Sequence, residues 1–168
     1  ITFNNEKDLE KINDSTAAVM LETIQGGAGF IQPQKNYLKK VKRKCEKVGA
    51  LLILDEIQPG FGRTGKMFGF ENYGIKPDIV VMGKALGGGL PIGAFSASKT
   101  LMKELEYNPK LGHITTFGGN PVIAASALAT LNEIEKSGIV KTINHKEKLF
   151  RKNLRHPKIK KIQGIGLM

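Results

Sequence analysis

The chain has 168 residues, 40% hydrophobic and 24% charged, a balance that excludes disordered and fibrous classes and suits one globular domain. Its net charge of +11 is spread over lysines such as Lys35, Lys39, Lys40 and Lys44 without a platform of aromatics for stacking bases, so no nucleic-acid partner is expected. A single cysteine, Cys45, excludes an intrachain disulfide, and no apolar run approaches the ~20 residues of a membrane span, so neither a disulfide scaffold nor a membrane partner is expected.

The opening segment ITFNNEKDLE lacks a basic region followed by an apolar run, and the expected setting is cytoplasmic. Three short apolar runs follow, at Ala17–Leu21, Leu51–Leu54 and Ile79–Met82, and they read as buried parallel strands. A helix is predicted from about Pro33 to Val48, with Tyr37, Leu38, Val41, Cys45 and Val48 on one face and Gly49 as its stop, which completes a βαβ unit. The run Gly93–Ala97 follows Ile79–Met82 after only a short turn. An antiparallel pair is therefore predicted, because a parallel crossover needs a dozen or more residues. Asn120-Pro121 opens the next helix, whose apolar stripe is Ala124, Ala127, Leu128, Leu131 and Ile134, and Ser137-Gly138 closes it. A third helix is predicted over Ile139–Leu154, and His156–Met168 reads as the beginning of a strand. The opening just before a strand and the stop inside an apolar element lead us to expect further chain on both sides. The fold class is α/β, with a mostly parallel sheet flanked by helices.

Glycines gather at 26–29, 60–69 and 83–93, as in tight loops where a Cβ would obstruct a neighbour. The strand LLILD delivers Asp55 at its carboxyl end, where open α/β sheets bind ligands. Alternation sends Glu56 to the opposite face. A buried carboxylate requires a partner, so Asp55 calls for a cation. The strand IVVMG delivers Lys84 just before Ala85-Leu86-Gly87-Gly88-Gly89. An amine desolvated there becomes nucleophilic enough to form a Schiff base. The pair suits pyridoxal phosphate (PLP), which needs a lysine for its carbonyl and an acid beside its pyridine nitrogen. Gln58, a short turn past Asp55, can reach the ring oxygen. In HITTFGGNP, Thr115 and Thr116 supply hydroxyls at a helix start, where anions bind. The strand-plus-acid pattern also occurs in ATPases, but no G-x-x-x-x-G-K-[ST] is present and Ala85 follows Gly83-Lys84.

Together, LLILDEIQPGFGRTGKMFGFENYGIKPDIVVMGKALGGGLPIGAF, the preceding ETIQGGAGF and the following HITTFGGNP resemble class III PLP-dependent aminotransferases of the acetylornithine/ornithine type, of PLP fold type I. The resemblance covers nearly the whole chain. It implies that residues 1–136 are part of the PLP-binding large domain and 137–168 a helix leading into a C-terminal small domain. It also implies a ping-pong transfer of an amino group from an amino acid or amine donor to a 2-oxo acid. Lys84 would then be the Schiff-base lysine and proton carrier, Asp55 the partner of the pyridinium, and Gln58 the contact to the ring oxygen. Thr116 would bind the phosphate of the other subunit's cofactor in a homodimer. Glu22 would lie near Gln58 beneath the cofactor, Gly118 and Gly119 would shape the phosphate loop, and Arg63 would be structural. The chain departs from the pattern at Gly27, where many ornithine- and GABA-type members carry a glutamate that gates a substrate arginine. The family's upstream phosphate loop, its ring-stacking aromatic and its C-terminal substrate arginine are not in this chain, so this chain alone is expected to bind PLP weakly or not at all and to be inactive. Two other readings stay open: another PLP chemistry on this fold (aminomutase, decarboxylase or racemase), and a catalytically silent binding module.

Overall fold

A computed structural model of the protein describes residues 1–107, 109–110 and 113–168. Four strands form one sheet in the order β1 (Ala18–Glu22), β2 (Leu51–Asp55), β3 (Ile79–Gly83) and β4 (Gly93–Ala97). β1, β2 and β3 run parallel and β4 is antiparallel to β3, as the short turn between them requires. The register sets Glu22 beside Asp55 and Asp55 beside Val81.

Helix α1 (Tyr37–Val48) packs one face of the sheet. Its Tyr37, Leu38, Val41 and Cys45 meet Val19, Leu52 and Leu54, and each of these is buried. The helix begins at Tyr37 rather than Pro33, because Asn36 sits in the left-handed region at φ 67° and cannot be a helical turn. Gly49 ends it, as expected. Lys42 on α1 grips Asp78 through both carboxylate oxygens at 2.8 Å, and Asp78 also accepts from the Leu52 N–H. Helix and sheet are thereby locked where β3 begins.

The opposite face is not covered by these residues. Met20 is 59% and Phe95 47% exposed, while Ile53, Ile79 and Val81 are half-buried. The strands expected to be buried on both faces are thus covered on one, and in β2 every second side chain is buried.

The loop after β2 contains no α-helix, only a 3-10 turn at Gly69–Tyr73. A second 3-10 turn, Lys84–Gly87, follows β3. A short helix α2 (Lys99–Lys103) follows β4. Helix α3 (Pro121–Ser137) starts as predicted, with the Asn120 side chain accepting from the N–H groups of Val122 and Ile123. It packs on the turn after Lys84: the Ser126 hydroxyl donates to the Gly87 carbonyl at 2.8 Å, and Phe61, Leu86 and Ala127 form a second small core. Of the predicted stripe only Ala127 is buried, Leu131 and Ile134 are half-buried, and Leu128 is 60% exposed. Helix α4 (Ile143–Asn153) follows a 3-10 turn at Ile139–Thr142.

Residues 156–168 form no strand, in contrast to the expectation. Gly164 and Gly166 take φ of 120° and 63°, which breaks an extended run, and among the described residues no strand pairs with it. The segment is instead held by hydrogen bonds to three other parts of the chain, among them the following. Gln32 donates to the Gly164 carbonyl, the Leu167 N–H to the Arg63 carbonyl, and the Gly166 N–H to Glu147 on α4. Among the described residues no helix is long and apolar enough to cross a membrane.

Candidate active site

The strands position the site. With Leu52 and Leu54 buried beneath α1, alternation directs Asp55 to the opposite, open face. There it stands beside Glu22 at the carboxyl ends of adjacent strands. Asp55 is half-buried and one of its oxygens accepts from the Ile57 N–H at 2.9 Å. The cation that Asp55 was expected to require is not found among the described residues.

The fully buried carboxylate is Glu56, one residue on and facing the other way. It is satisfied without a cation: the Thr23 hydroxyl and the N–H groups of Gly69 and Phe70 all donate to it. Burial still pushes its pKa up from the ordinary carboxylate range, against the pull of those donors. Glu56 therefore ties the end of β1 to the loop after β2, and its neighbours Asp55 and Gln58 are anchored with it.

Glu22 accepts from the Gly26 N–H at 2.9 Å. Gly26 in turn lies so close to Gln58 that a Cβ there would come within 1.8 Å of the Gln58 side-chain oxygen. Glu22 and Gln58 thus both adjoin Gly26.

Lys84 leaves the end of β3 with φ 44°. A lysine rarely takes this left-handed conformation, whose cost is of order 1–3 kcal/mol and which persists only where surrounding structure over-determines it. Gly83 before it, Leu86 and Gly87 after it are buried, and α3 is bonded to Gly87. The Lys84 side chain itself is exposed. The desolvation expected at Lys84 is therefore not supplied by these residues.

Lys84 and Gln58 line one cleft of about 460 Å³. Phe30, Leu167 and Met168 line the same cleft, as does Arg63. None of the three apolar residues was singled out from the sequence. The glycines of Gln163-Gly164-Ile165-Gly166 were the available signal, since two glycines so close mark a turn more readily than a strand. Arg63, read as structural, accepts from the tail through its carbonyl and is also one of the residues lining the cleft. Asp55 lies at the neighbouring strand end and does not line this cleft.

Thr116 is not brought to the cleft. It is exposed in the turn before α3, where the Gly118 N–H donates to the Thr115 carbonyl. A larger cleft, of about 880 Å³, opens beside Lys39, Lys42, Arg43 and Ser96. Two of its charged residues form the Lys42–Asp78 lock, and it contains none of the reactive residues above, so chemistry rather than volume selects the smaller cleft.

Comparisons with known proteins agree with this fold. The chain is 43% identical over 164 residues to an acetylornithine aminotransferase from Caldanaerobacter subterraneus, covering 95% of this chain and 41% of that protein. It is 56% identical over 126 residues to a putrescine aminotransferase from Pectobacterium atrosepticum, covering 74% of this chain and 27% of that one. The ornithine aminotransferase of Toxoplasma gondii, solved with PLP at partial occupancy in its active site, superposes with a TM-score of 0.90 at 33% identity, over 99% of this chain and 41% of that structure. The chain thus spans less than half the length of these relatives. Residues 2–168 match the aminotransferase class-III family model. That match over almost the whole chain, together with 43% identity to a relative over 95% of it, makes the chain a member of the class-III aminotransferase family.

Proposed function

We propose that the full-length protein is a PLP-dependent aminotransferase that moves an amino group from an amino acid or amine donor to a 2-oxo acid in a ping-pong exchange. The observation that carries this reading is Lys84, held in a strained backbone at a strand end and sharing its cleft with Gln58, next to the strand end that bears Asp55. The residues suit the cofactor. Asp55 has one oxygen oriented by the Ile57 N–H and no ion pair among the described residues, as a partner for a ring cation requires. When bound, PLP supplies an electron sink that eases removal of a proton from the donor carbon.

The chain's own groups do the rest. Asp55 keeps a proton on the ring nitrogen, and Gln58 donates to the ring oxygen. Lys84 Nζ would hold the cofactor through its carbonyl carbon and, when freed, would serve as the base for the proton on the donor's Cα. Glu22 fixes the Gly26 loop against Gln58. Thr116 binds the phosphate of the cofactor in a second subunit. Its exposure, together with that of Phe117 at 81% and Val122 at 68%, supports a homodimer formed over this edge. Residues 1–136 belong on this reading to the cofactor domain and 137–168 lead to a smaller one. A cytoplasmic setting accords with a lone, buried, reduced Cys45.

The test is an absorbance spectrum of the full-length protein with PLP, before and after borohydride, beside Lys84→Ala. A band near ~420 nm that borohydride fixes on Lys84 is the expected result for a carbonyl cofactor on an activated lysine. Absence of the band and of a modified lysine would instead establish a silent relative.

A further inference from the structure

We infer that Phe30 is a specificity-determining residue, forming with Leu167 and Met168 an apolar wall of the Lys84 cleft that selects amino donors by the length of their aliphatic chain. The inference rests on the transaminase reading above and names the part of the donor this site would grip.

Phe30 holds φ 59°, a left-handed conformation in which a bulky side chain is an outlier. Core burial does not account for it. The residue is 36% exposed and belongs to neither hydrophobic cluster. Its loop is nevertheless fixed from several sides. Gln25 and Ile31 exchange two backbone bonds at its base, at 3.0 and 3.1 Å, and the Phe30 N–H reaches the Gly26 carbonyl. Gln163 donates to the Gly29 carbonyl, and Gln32 to the Gly164 carbonyl at 2.8 Å.

Those last two bonds join the loop to the tail, far away in sequence. The Leu167 N–H bond to the Arg63 carbonyl, at 2.9 Å, then sets Leu167 and Met168 on the cleft that Phe30 lines. Three apolar residues from two distant segments thus line the same cleft as Lys84, and Phe30 is 36% exposed. Strain that is kept without burial is expected at a ligand clamp. A methylene chain laid across the ring removes apolar surface from water, and each added methylene strengthens that contact.

The test uses the full-length, cofactor-loaded protein, with Phe30→Ala and Phe30→Leu. Steady-state kinetics are measured for ω-amino acids and α,ω-diamines of increasing length. In the wild type kcat/KM should rise with chain length in at least one series. Phe30→Ala should lose about tenfold more for the longest donor than for the shortest, with the difference carried by KM. Phe30→Leu, which keeps an apolar side chain, should retain most of the dependence, and it decides the matter if Phe30→Ala does not fold. An equal loss for every donor, an unaltered length dependence, or no turnover of either series although borohydride fixes the cofactor on Lys84 would each overturn the inference. Failure to modify Lys84 at all would overturn the transaminase reading on which it stands.

Discussion

At the scale of single residues, the contact between Gly26 and Gln58 is the most demanding in the site. A Cβ at position 26 would lie 1.8 Å from the Gln58 oxygen, so Gly26→Ala must displace that side chain. If Gln58 contributes one hydrogen bond to the cofactor, the variant should weaken PLP binding by about 1 kcal/mol, several-fold in Kd, as measured by titrating the full-length apoprotein. Glu56 allows a pH test. Its pKa in the folded protein is raised above the ordinary 4.5 by burial, so the folded state holds the proton more tightly than the unfolded chain. Its contribution to stability is therefore complete at a pH below 4.5 and is lost as pH rises through the raised folded value. Chemical denaturation of wild type and Glu56→Gln across that window should show the variant gaining on the wild type as pH rises, with the difference constant above it. A pH-independent difference would mean that Glu56 titrates alike in both states. That Asp55 and Glu56 part to opposite faces was legible in the sequence, because strand side chains alternate. Which of the two is buried, and that neutral donors satisfy it, was not, because Thr23, Gly69 and Phe70 meet only in the fold.

At the scale of elements, α3 was the most readable. Its start depends on the Asn120 oxygen, which satisfies two N–H groups that the helix leaves unpaired. Asn120→Ala should cost about 1 kcal/mol in a denaturant titration, with the fold unchanged. Its apolar stripe was less readable, since burial depends on what lies against the helix, and Leu128 faces solvent here. The tail from 156 to 168 was misread because an apolar, alternating run specifies a strand only where a partner edge exists, and Gly164 and Gly166 instead turn the chain onto Arg63 and Glu147. The start of α1 shifted for a similarly local reason, the left-handed Asn36.

At the scale of the whole molecule, one face of the sheet carries the stability of the chain. Leu54, with no exposed surface, lies at the centre of the α1 core. Leu54→Ala should cost about 2–5 kcal/mol, the range for a buried leucine, read as a shift in denaturation midpoint. Met20→Ala on the uncovered face should cost far less, because Met20 is 59% exposed. The sequence by itself determined the strands, the parallel order of the first three, the antiparallel fourth, and the delivery of Asp55 and Lys84 to strand ends. Each of these follows from local periodicity and connection length. Only the tertiary structure decided that Lys84 is left-handed and exposed, that Glu56 is buried among neutral donors, and that Phe30, Leu167 and Met168 share the lysine's cleft. These depend on contacts between segments distant in the chain, which no periodicity along the sequence encodes.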